Sequence, residues 1–431
     1  MPQARPNILM IICHDIGQHV GCLGAPIQTP NIDSIANDGV LFTNYHCTAA
    51  SCSPSRGSIF TGKYPHSNGL MGLAHIGWGY NPGETTLQMR LQQAGYSTHL
   101  FGVQHETTNH PSTLGYDTYV KGNRASEAGP ATCEWLLDKG ASRDDRPWFA
   151  SMGTFEPHRP FEQEGYPRDD PDTLTVQPWL PDTPGVRYDT AGLNGMVWTL
   201  DEYVGQVRKA LSESGLADDT LLIFTTDHGT AMPRAKGTCY DPGTKTTLAM
   251  HLPGRFEGGR RHDELLTNCD LSPTVMQFIG EPAPDGIDGR SFLGLLDTTD
   301  YTPRDDIFSE MTWHDRYNPM RCVRTNSHKY IRNFGDRPLV YLPKDIWDGP
   351  AGQDMREEYY AQPRPAEQLY DLESDPLEMT DVARNPQYAD VLVDLRARVD
   401  TWMRESNDKL LEGDWPPSEQ QMQREQENQP N

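Results

Sequence analysis

Two short apolar segments, each ending in a polar pair, place the strongest constraint on how this chain of 431 residues folds. The segments are residues 7–13 and 219–226, which are too short to cross a membrane and resemble buried strands. The polar residues that follow them are His14, Asp15, Asp227 and His228. Because ligands bind open α/β sheets at the carboxyl ends of strands, the two pairs predict oxygen and nitrogen ligands at one sheet edge. Either pair taken alone is more simply a polar strand end with a turn.

A long helix and several shorter elements complete the prediction of an α/β fold. Apolar residues recur at helical spacing between residues 188 and 215, at Leu193, Met196, Val197, Leu200, Val204, Val207 and Leu211. Further helices are predicted over residues 29–38 and 86–94, and strands over residues 97–101 and 145–152. The apolar stripe indicates core packing against a sheet and carries no functional role.

The pattern changes beyond Tyr301, which predicts a second, smaller unit. Short strands are predicted around residues 307–308, 320–324, 330–333 and 367–372, and a helix over residues 388–402. We therefore divide the chain into a large domain (1–299), a C-terminal subdomain with a small antiparallel sheet and a helix (300–411), and a polar tail (412–431). The Gln- and Glu-rich composition of the tail predicts that it is mobile.

The segment from Ser51 to Gly62 carries the most specific chemical signal. Cys52 stands at a predicted helix start, where Pro54 suits the first turn and unpaired N–H groups attract anions. An unmodified cysteine there is expected to have a lowered pKa and an exposed thiolate. The simpler alternative is a buried cysteine at a helix start.

Cys52, Pro54 and Arg56, followed by Thr61 and Gly62, resemble the sulfatase signature, in which the cysteine becomes a formylglycine. Residues 30–33 and 39–44 occur in the order and spacing typical of that family, and residues 65–73 are similar to its sulfamidase branch, which cleaves N-sulfoglucosamine. The resemblance implies an alkaline-phosphatase-like α/β sandwich, with a large mixed, mainly parallel sheet flanked by helices and a smaller C-terminal α+β subdomain. It also implies hydrolysis of a sulfate ester or an N-sulfate.

The same resemblance implies roles for individual residues. A formylglycine hydrate at Cys52, held by a divalent metal, would attack sulfur. The implied metal ligands are Cys52 in its modified form, His14, Asp15, Asp227 and His228. Arg56 and Lys236 would hold sulfate oxygens, His158 would protonate the leaving group, and His105 would take a proton from the second hydroxyl.

The chain departs from the family pattern at three of these places. Val103 occupies the position of a lysine that bridges the nucleophile and the sulfate. His14 replaces a carboxylate, and His228 stands where asparagine is common. Because imidazole favours Mn²⁺ or Zn²⁺ over Ca²⁺, the family expectation of Ca²⁺ competes here with Mn²⁺. Alternatively, His14 lies just outside the ligand shell.

His314 and Arg321, in the C-terminal subdomain, are candidates for substrate binding, although polar residues at a domain seam are more often structural. The expected substrate is a small sulfated molecule of sugar type. A formal charge of −24 disfavours nucleic acid, anionic membranes and extended sulfated polymers. The expected partner is the enzyme that generates formylglycine, and the oligomeric state stays open.

The cysteines and the start of the sequence bear on the cellular compartment. Eight cysteines are scattered without close pairs, which suits reduced thiols. No leading segment has the form of a signal peptide, which predicts a cytoplasmic location, or a periplasmic one if a leader has been removed.

Three alternatives to a sulfatase remain at this point. A phosphonate monoester or phosphodiester hydrolase of the same superfamily fits Val103 and His228. An inactive, sulfatase-like binding protein fits the missing lysine. Catalysis by an unmodified Cys52 thiolate has the least support, because no cysteine-protease pattern accompanies it.

Overall fold

The structure is a computed structural model that describes residues 5–142, 144–256, 258–297 and 300–427. Its large sheet is built from β1 (Asn7–Cys13), β2 (Val40–His46), β3 (Ser97–Gly102), β4 (Thr118–Val120), β5 (Trp148–Gly153), β6 (Thr220–Thr226), β7 (Lys245–His251), β8 (Arg260–His262) and β9 (Leu266–Thr267). A smaller sheet contains β10 (Ile307–Trp313), β11 (Tyr317–Arg324), β12 (His328–Asn333) and β13 (Glu367–Asp371).

The helices in chain order are α1 (Pro30–Asp38), α2 (Cys52–Thr61), α3 (Pro65–Asn68), α4 (Leu87–Gln93), α5 (Ala125–Ala141), α6 (Pro184–Glu213), α7 (Asp241–Thr244), α8 (Leu271–Phe278), α9 (Leu293–Leu296), α10 (Lys344–Trp347), α11 (Pro350–Tyr360), α12 (Ala389–Glu405) and α13 (Glu419–Glu427). No helix in the described part of the chain is long and apolar enough to cross a membrane.

Strand β1 lies in the middle of the large sheet. The strand order is β4-β3-β5-β1-β6-β7-β2-β8, and β9 pairs with β2. β1 is parallel to both β5 and β6, and among the described strands only β7 runs against the others. The carboxyl ends of β3, β5, β1 and β6 therefore meet side by side at one edge.

The large sheet is covered on both faces, which explains why its central strands are apolar throughout. Leu9 and Ile11 of β1 pack into a core that also contains residues of α1, α5 and α6. The alternate residues Ile8, Met10 and Ile12 pack into a second core with residues of α2, α4 and α8. Side chains of a strand point alternately to its two faces, so β1 supplies both cores.

The small sheet is antiparallel, in the order β10-β11-β12-β13, and α12 packs against β11 and β12. The predicted fold class, a large mixed and mainly parallel sheet with a small C-terminal sheet, is confirmed. The predicted helical stripe lies within α6, which begins earlier than the stripe, at Pro184. Helices α5 and α11 were not predicted, because neither shows a clear apolar period.

The beginning of the polar tail is packed against the protein, which differs from the predicted mobility. Trp415 and Gln421 are buried, and the Gln421 side chain donates to the carbonyl oxygen of Asp315 over 2.8 Å. The Ser418 hydroxyl donates to the carbonyl oxygen of Ile76, which belongs to the loop beside Cys52. A few buried contacts therefore fix a segment whose composition is otherwise that of a disordered chain.

Candidate active site

The predicted site residues meet at the carboxyl edge of the large sheet because adjacent strands deliver them. His105 follows β3, His158 follows β5, His14 and Asp15 follow β1, and Asp227 and His228 follow β6. Cys52 is the first residue of α2, which begins after β2. Residues that are far apart in sequence are brought together by the strand order alone.

Cys52 lies at the centre of this group. Its Sγ is 3.2 Å from Nε2 of His228 and 3.7 Å from Oδ1 of Asp15. The side chain is only 1% exposed, and burial raises the pKa of the thiol well above its ordinary value. The expectation of an exposed thiolate with a lowered pKa is therefore wrong for unmodified Cys52, because desolvation outweighs the nearby positive charge of Lys236.

Asp227 connects the two strand ends. Its Oδ1 accepts hydrogen bonds from the backbone N–H groups of Asp15, at 3.0 Å, and of His228, at 2.8 Å. Its Oδ2 lies 3.1 Å from Nδ1 of His14 and 3.4 Å from Nε of Arg56. Asp15 has a φ of +47°, a left-handed conformation that is uncommon outside glycine and often marks functional sites. The fold therefore holds these carboxylates in fixed positions.

The donor atoms of this group fit a divalent cation. Nδ1 of His228 donates to the carbonyl oxygen of Gly229 over 2.9 Å, and Nε2 lies 3.1 Å from Oδ1 of Asp15 and 3.2 Å from Sγ of Cys52. Nε2 of His14 is buried and has no hydrogen-bond partner among the described residues, and Nδ1 lies 3.1 Å from Oδ2 of Asp227 without forming a hydrogen bond.

Ligand atoms of His14, Asp15, Cys52 and Asp227 all lie within 4.8 Å of one another. Four of the five predicted metal ligands therefore lie in one place, and the fifth, His228, has its Nε2 3.1 Å from Oδ1 of Asp15.

Gly229 is required by the way this edge is packed. A Cβ at this position would lie 1.9 Å from the carbonyl oxygen of Pro242, a contact that no side chain tolerates. The close approach keeps the Gly229 carbonyl oxygen where it fixes the tautomer of His228.

Lys236 is the buried cation of the site. Its Nζ lies 2.8 Å from Oδ2 of Asp15, 2.9 Å from Oδ2 of Asp345 and 3.2 Å from Nε2 of His158. Nδ1 of His158 donates to the carbonyl oxygen of Arg159 over 2.6 Å, so Nε2 accepts from Lys236. Burial and the positive charge of Lys236 lower the pKa of His158.

Arg56 is also buried. It donates to Asp227 and, over 3.4 Å, to the carbonyl oxygen of Cys13. It lies in α2, about one turn beyond Cys52. The N-terminus of α2, Arg56 and Lys236 together provide the positive surroundings that an anionic group requires.

His105 lies beside His14, with ring centroids 5.3 Å apart, and its Nδ1 is buried without a hydrogen-bond partner in the described ranges. Burial lowers its pKa, and nearby Arg56 adds to this effect. The exposed ring of His75 stacks on His105 at 5.6 Å. Val103, at the position of the missing lysine, is buried. This corner of the site therefore holds imidazoles where the family has a primary amine.

The two predicted substrate-binding residues lie in different surroundings. His314 is mostly buried, and its Nδ1 lies 3.0 Å from Oδ1 of Asp315. It is also close enough to Asp345 to help lower the pKa of that carboxyl. Arg321 is fully buried and bonded to Asp408 and Glu310. His314 therefore lies near the site, whereas the guanidinium of Arg321 is occupied by buried ion pairs with Asp408 and Glu310.

Two residues of this site, Asp345 and His75, were not predicted from the sequence. His75 lies two positions after the stretch that resembles sulfamidases, and this nearness in sequence was a usable signal. Asp345 lies 109 residues from Lys236, within a segment that has no recognisable motif.

Two family models match the chain. The model described as Sulfatase matches residues 6–281. The chain belongs to the sulfatase family. A second model, described as N-sulphoglucosamine sulphohydrolase, C-terminal, matches residues 234–348. The resemblance found in the sequence is confirmed, and the protein is a hydrolase of the sulfatase class.

Relatives cover nearly the whole chain. The human N-sulphoglucosamine sulphohydrolase is 28% identical over 94% of this chain and 91% of its own length. An ulvan-active sulfatase of Formosa agariphila is 27% identical over 93% of this chain and 75% of its own length.

Solved structures share the fold. A 2-O glycosaminoglycan sulfatase superposes with a TM-score of 0.73 at 21% identity, over 95% of this chain and 94% of its own. A protein solved in complex with its substrate D-glucosamine-2-N,6-O-disulfate superposes with a TM-score of 0.70 at 19% identity, over 96% and 99% of the two chains.

Proposed function

We propose that this protein hydrolyses the sulfate ester or the N-sulfate of a small sugar, through a formylglycine made from Cys52. The observation that carries the proposal is the position of Cys52. It begins α2, faces His228 and Asp15, and has the buried cations Arg56 and Lys236 near it. This arrangement supports a nucleophile at residue 52 with metal ligands and sulfate-binding cations beside it.

The reaction requires one bond to form and one to break at sulfur. A hydroxyl of the formylglycine hydrate attacks sulfur, and the bond from sulfur to the sugar oxygen or nitrogen breaks. Arg56 and Lys236 stabilise the charge on the sulfate oxygens that do not react. His158, whose Nε2 lies 3.2 Å from Nζ of Lys236, would take the proton that the attacking hydroxyl releases and pass it to the departing atom.

The second half of the reaction restores the aldehyde. His105 takes the proton from the remaining hydroxyl of residue 52, the C–O bond to sulfate breaks, and sulfate leaves. The buried Nδ1 of His105, which has no partner among the described residues, supports this assignment. The neutral imidazole that burial favours is the form that accepts a proton.

His14, Asp15, Asp227 and His228 would hold the divalent cation. When bound, this cation supplies positive charge that lowers the pKa of a neighbouring hydroxyl and orients it. Ca²⁺ is the family expectation, but a shell with two imidazoles suits Mn²⁺ equally or better. The buried Nε2 of His14, which has no hydrogen-bond partner in the described ranges, supports its inclusion in the shell.

The relatives support a sulfated sugar as the substrate. One is named an N-sulphoglucosamine sulphohydrolase and others are named sulfatases, which favours sulfate over phosphonate esters. The charge of −24 favours a small sugar over an extended polymer, because repulsion opposes the approach of a polyanion.

The deciding experiment combines mass spectrometry with activity. Protein co-expressed with a formylglycine-generating enzyme is digested, and the peptide that contains residue 52 is weighed. We expect an aldehyde, together with release of sulfate from aryl sulfate or from glucosamine N-sulfate. The Cys52→Ala variant, which fits the same buried space, is expected to remain folded and inactive. Sulfate release by Cys52→Ala, or faster hydrolysis of a phenyl phosphonate than of any sulfate, would contradict the proposal.

A further inference from the structure

Asp345 has a carboxylate at the active site, of which one oxygen forms an ion pair and the other has no hydrogen-bond partner among the described residues. It lies in the first turn of α10, and its Oδ2 is 2.9 Å from Nζ of Lys236. Its Oδ1 is buried and has no hydrogen-bond partner among the described residues. A buried carboxylate oxygen without a partner is costly, so its presence here indicates a donor that arrives with the substrate.

The position of Asp345 indicates which part of the substrate supplies that donor. One ligand atom each of Asp15, His158 and Asp345 lie within 4.8 Å of one another. His158 is the residue placed to protonate the departing atom. With His158 in that role, Asp345 lies on the side of the site that receives the atom joining sulfur to the sugar.

N-sulfates and O-sulfates differ at this bridging atom. In a sulfamate, R–NH–SO₃⁻, the bridging nitrogen carries a hydrogen that it can donate. In a sulfate ester, R–O–SO₃⁻, the bridging oxygen has only lone pairs. A carboxylate forms a charge-assisted hydrogen bond with the first and repels the second.

We propose that Asp345 makes the enzyme selective for N-sulfated over O-sulfated sugars by accepting a hydrogen bond from the bridging N–H. This inference rests on the proposed sulfatase function and adds the choice of linkage. After cleavage the same oxygen faces the amine product, which also presents N–H donors. Asp345 is thus a specificity residue that contacts the substrate.

A simpler role for Asp345 is to balance the charge of Lys236. That role uses only Oδ2. It predicts that removal of the carboxylate lowers kcat/KM by the same factor for N-sulfates and for O-sulfates. The two roles are separated by a pair of substrates that differ only in the bridging atom, glucosamine N-sulfate and glucose 2-sulfate.

The test compares wild type with Asp345→Asn, both carrying formylglycine, on this substrate pair. We expect kcat/KM for glucosamine N-sulfate to fall by about 10- to 100-fold, the value of one hydrogen bond to a charged group. The value for glucose 2-sulfate is expected to stay the same or rise, because the amide can donate to the bridging oxygen. Asp348→Asn, an exposed change on the residue that follows α10, is the matched control and should alter neither value.

Each other outcome has a definite meaning. An equal loss on both substrates, or no loss on either, would overturn the selectivity role of Asp345. Wild-type protein that cleaves glucose 2-sulfate but not glucosamine N-sulfate would also overturn it while supporting a sulfatase.

If wild type with formylglycine cleaves neither sugar nor any aryl sulfate, the proposed function fails, and calorimetric binding of the same two sugars then decides the inference. A preference for glucosamine N-sulfate that Asp345→Asn abolishes supports it, and the absence of such a preference overturns it.

Discussion

Replacing Arg321 by methionine is expected to lower the free energy of unfolding by about 3–5 kcal/mol, the usual cost of removing one partner of a buried ion pair. Arg321 is fully buried, as are the carboxylates of Asp408 and Glu310 that it contacts. Nη2 lies 3.0 Å from Oδ1 of Asp408, and Nε lies 3.3 Å from Oε2 of Glu310. Methionine fills a similar volume but leaves these carboxylates without their guanidinium.

The guanidinium of Arg321 also satisfies the backbone of its own sheet. Nη1 donates to the carbonyl oxygens of Met311, at 3.0 Å, and Met320, at 2.8 Å. These acceptors lose a donor in the variant as well, which places the expected cost toward the upper end of the range. Because Asp408 follows α12 and Glu310 lies in β10, the loss loosens the C-terminal subdomain.

The assay is urea unfolding followed by tryptophan fluorescence, with Arg332→Met as the matched control. Arg332 pairs with Arg321 across β11 and β12, but its ion pair with Asp400 is one-third exposed. We expect the control to cost less than about 1 kcal/mol. Arg321→Lys keeps the charge without the planar fork and is expected to give an intermediate loss.

The result that would refute this reasoning is a loss below about 1 kcal/mol for Arg321→Met, the value of an exposed pair. A raised KM with unchanged stability would instead support the contact with substrate that the sequence suggested. We expect the opposite, an unchanged KM in the folded fraction.

Two further predictions concern metal preference and acid stability. His14→Asp removes an imidazole from the ligand group and is expected to raise the affinity for Ca²⁺ relative to that for Mn²⁺. Calorimetry on metal-free protein measures both affinities, and an unchanged ratio of the two would place His14 outside the ligand shell. Burial raises the pKa of Asp408, but the charge and hydrogen bond of Arg321, together with His66 and the backbone N–H of Leu410, lower it more, so the net shift is downward. Its stabilising effect is therefore present above the unfolded pKa of about 3.9 and is lost as pH falls through the lower folded value. The Asp408→Asn variant should unfold with a weaker dependence on pH in this acidic range, and a curve parallel to wild type would contradict the assignment.

Much of the candidate site was predictable because its residues follow strands directly. Apolar runs such as residues 7–13 are recognisable locally, and in a mainly parallel sheet their carboxyl ends meet at one edge. The proximity of His14 and Asp227 could therefore be predicted from the sequence alone. Cys52 was recognisable from its neighbours Pro54 and Arg56, which form a continuous motif.

The tertiary structure decided the features that depend on partners distant in sequence. The sequence places Cys52 at a helix start, where a lowered pKa is expected, but only the packing of its surroundings shows that burial reverses the shift. Arginine is usually found at the protein surface, yet Arg321 is buried in ion pairs with Asp408 and Glu310. Asp345 pairs with Lys236, which lies 109 residues away in sequence, and no local pattern predicts this contact. Local sequence thus determined the strands, the helix starts and the reactive motif, whereas burial and long-range pairing, which set the pKa values of the site, depended on how the chain packs.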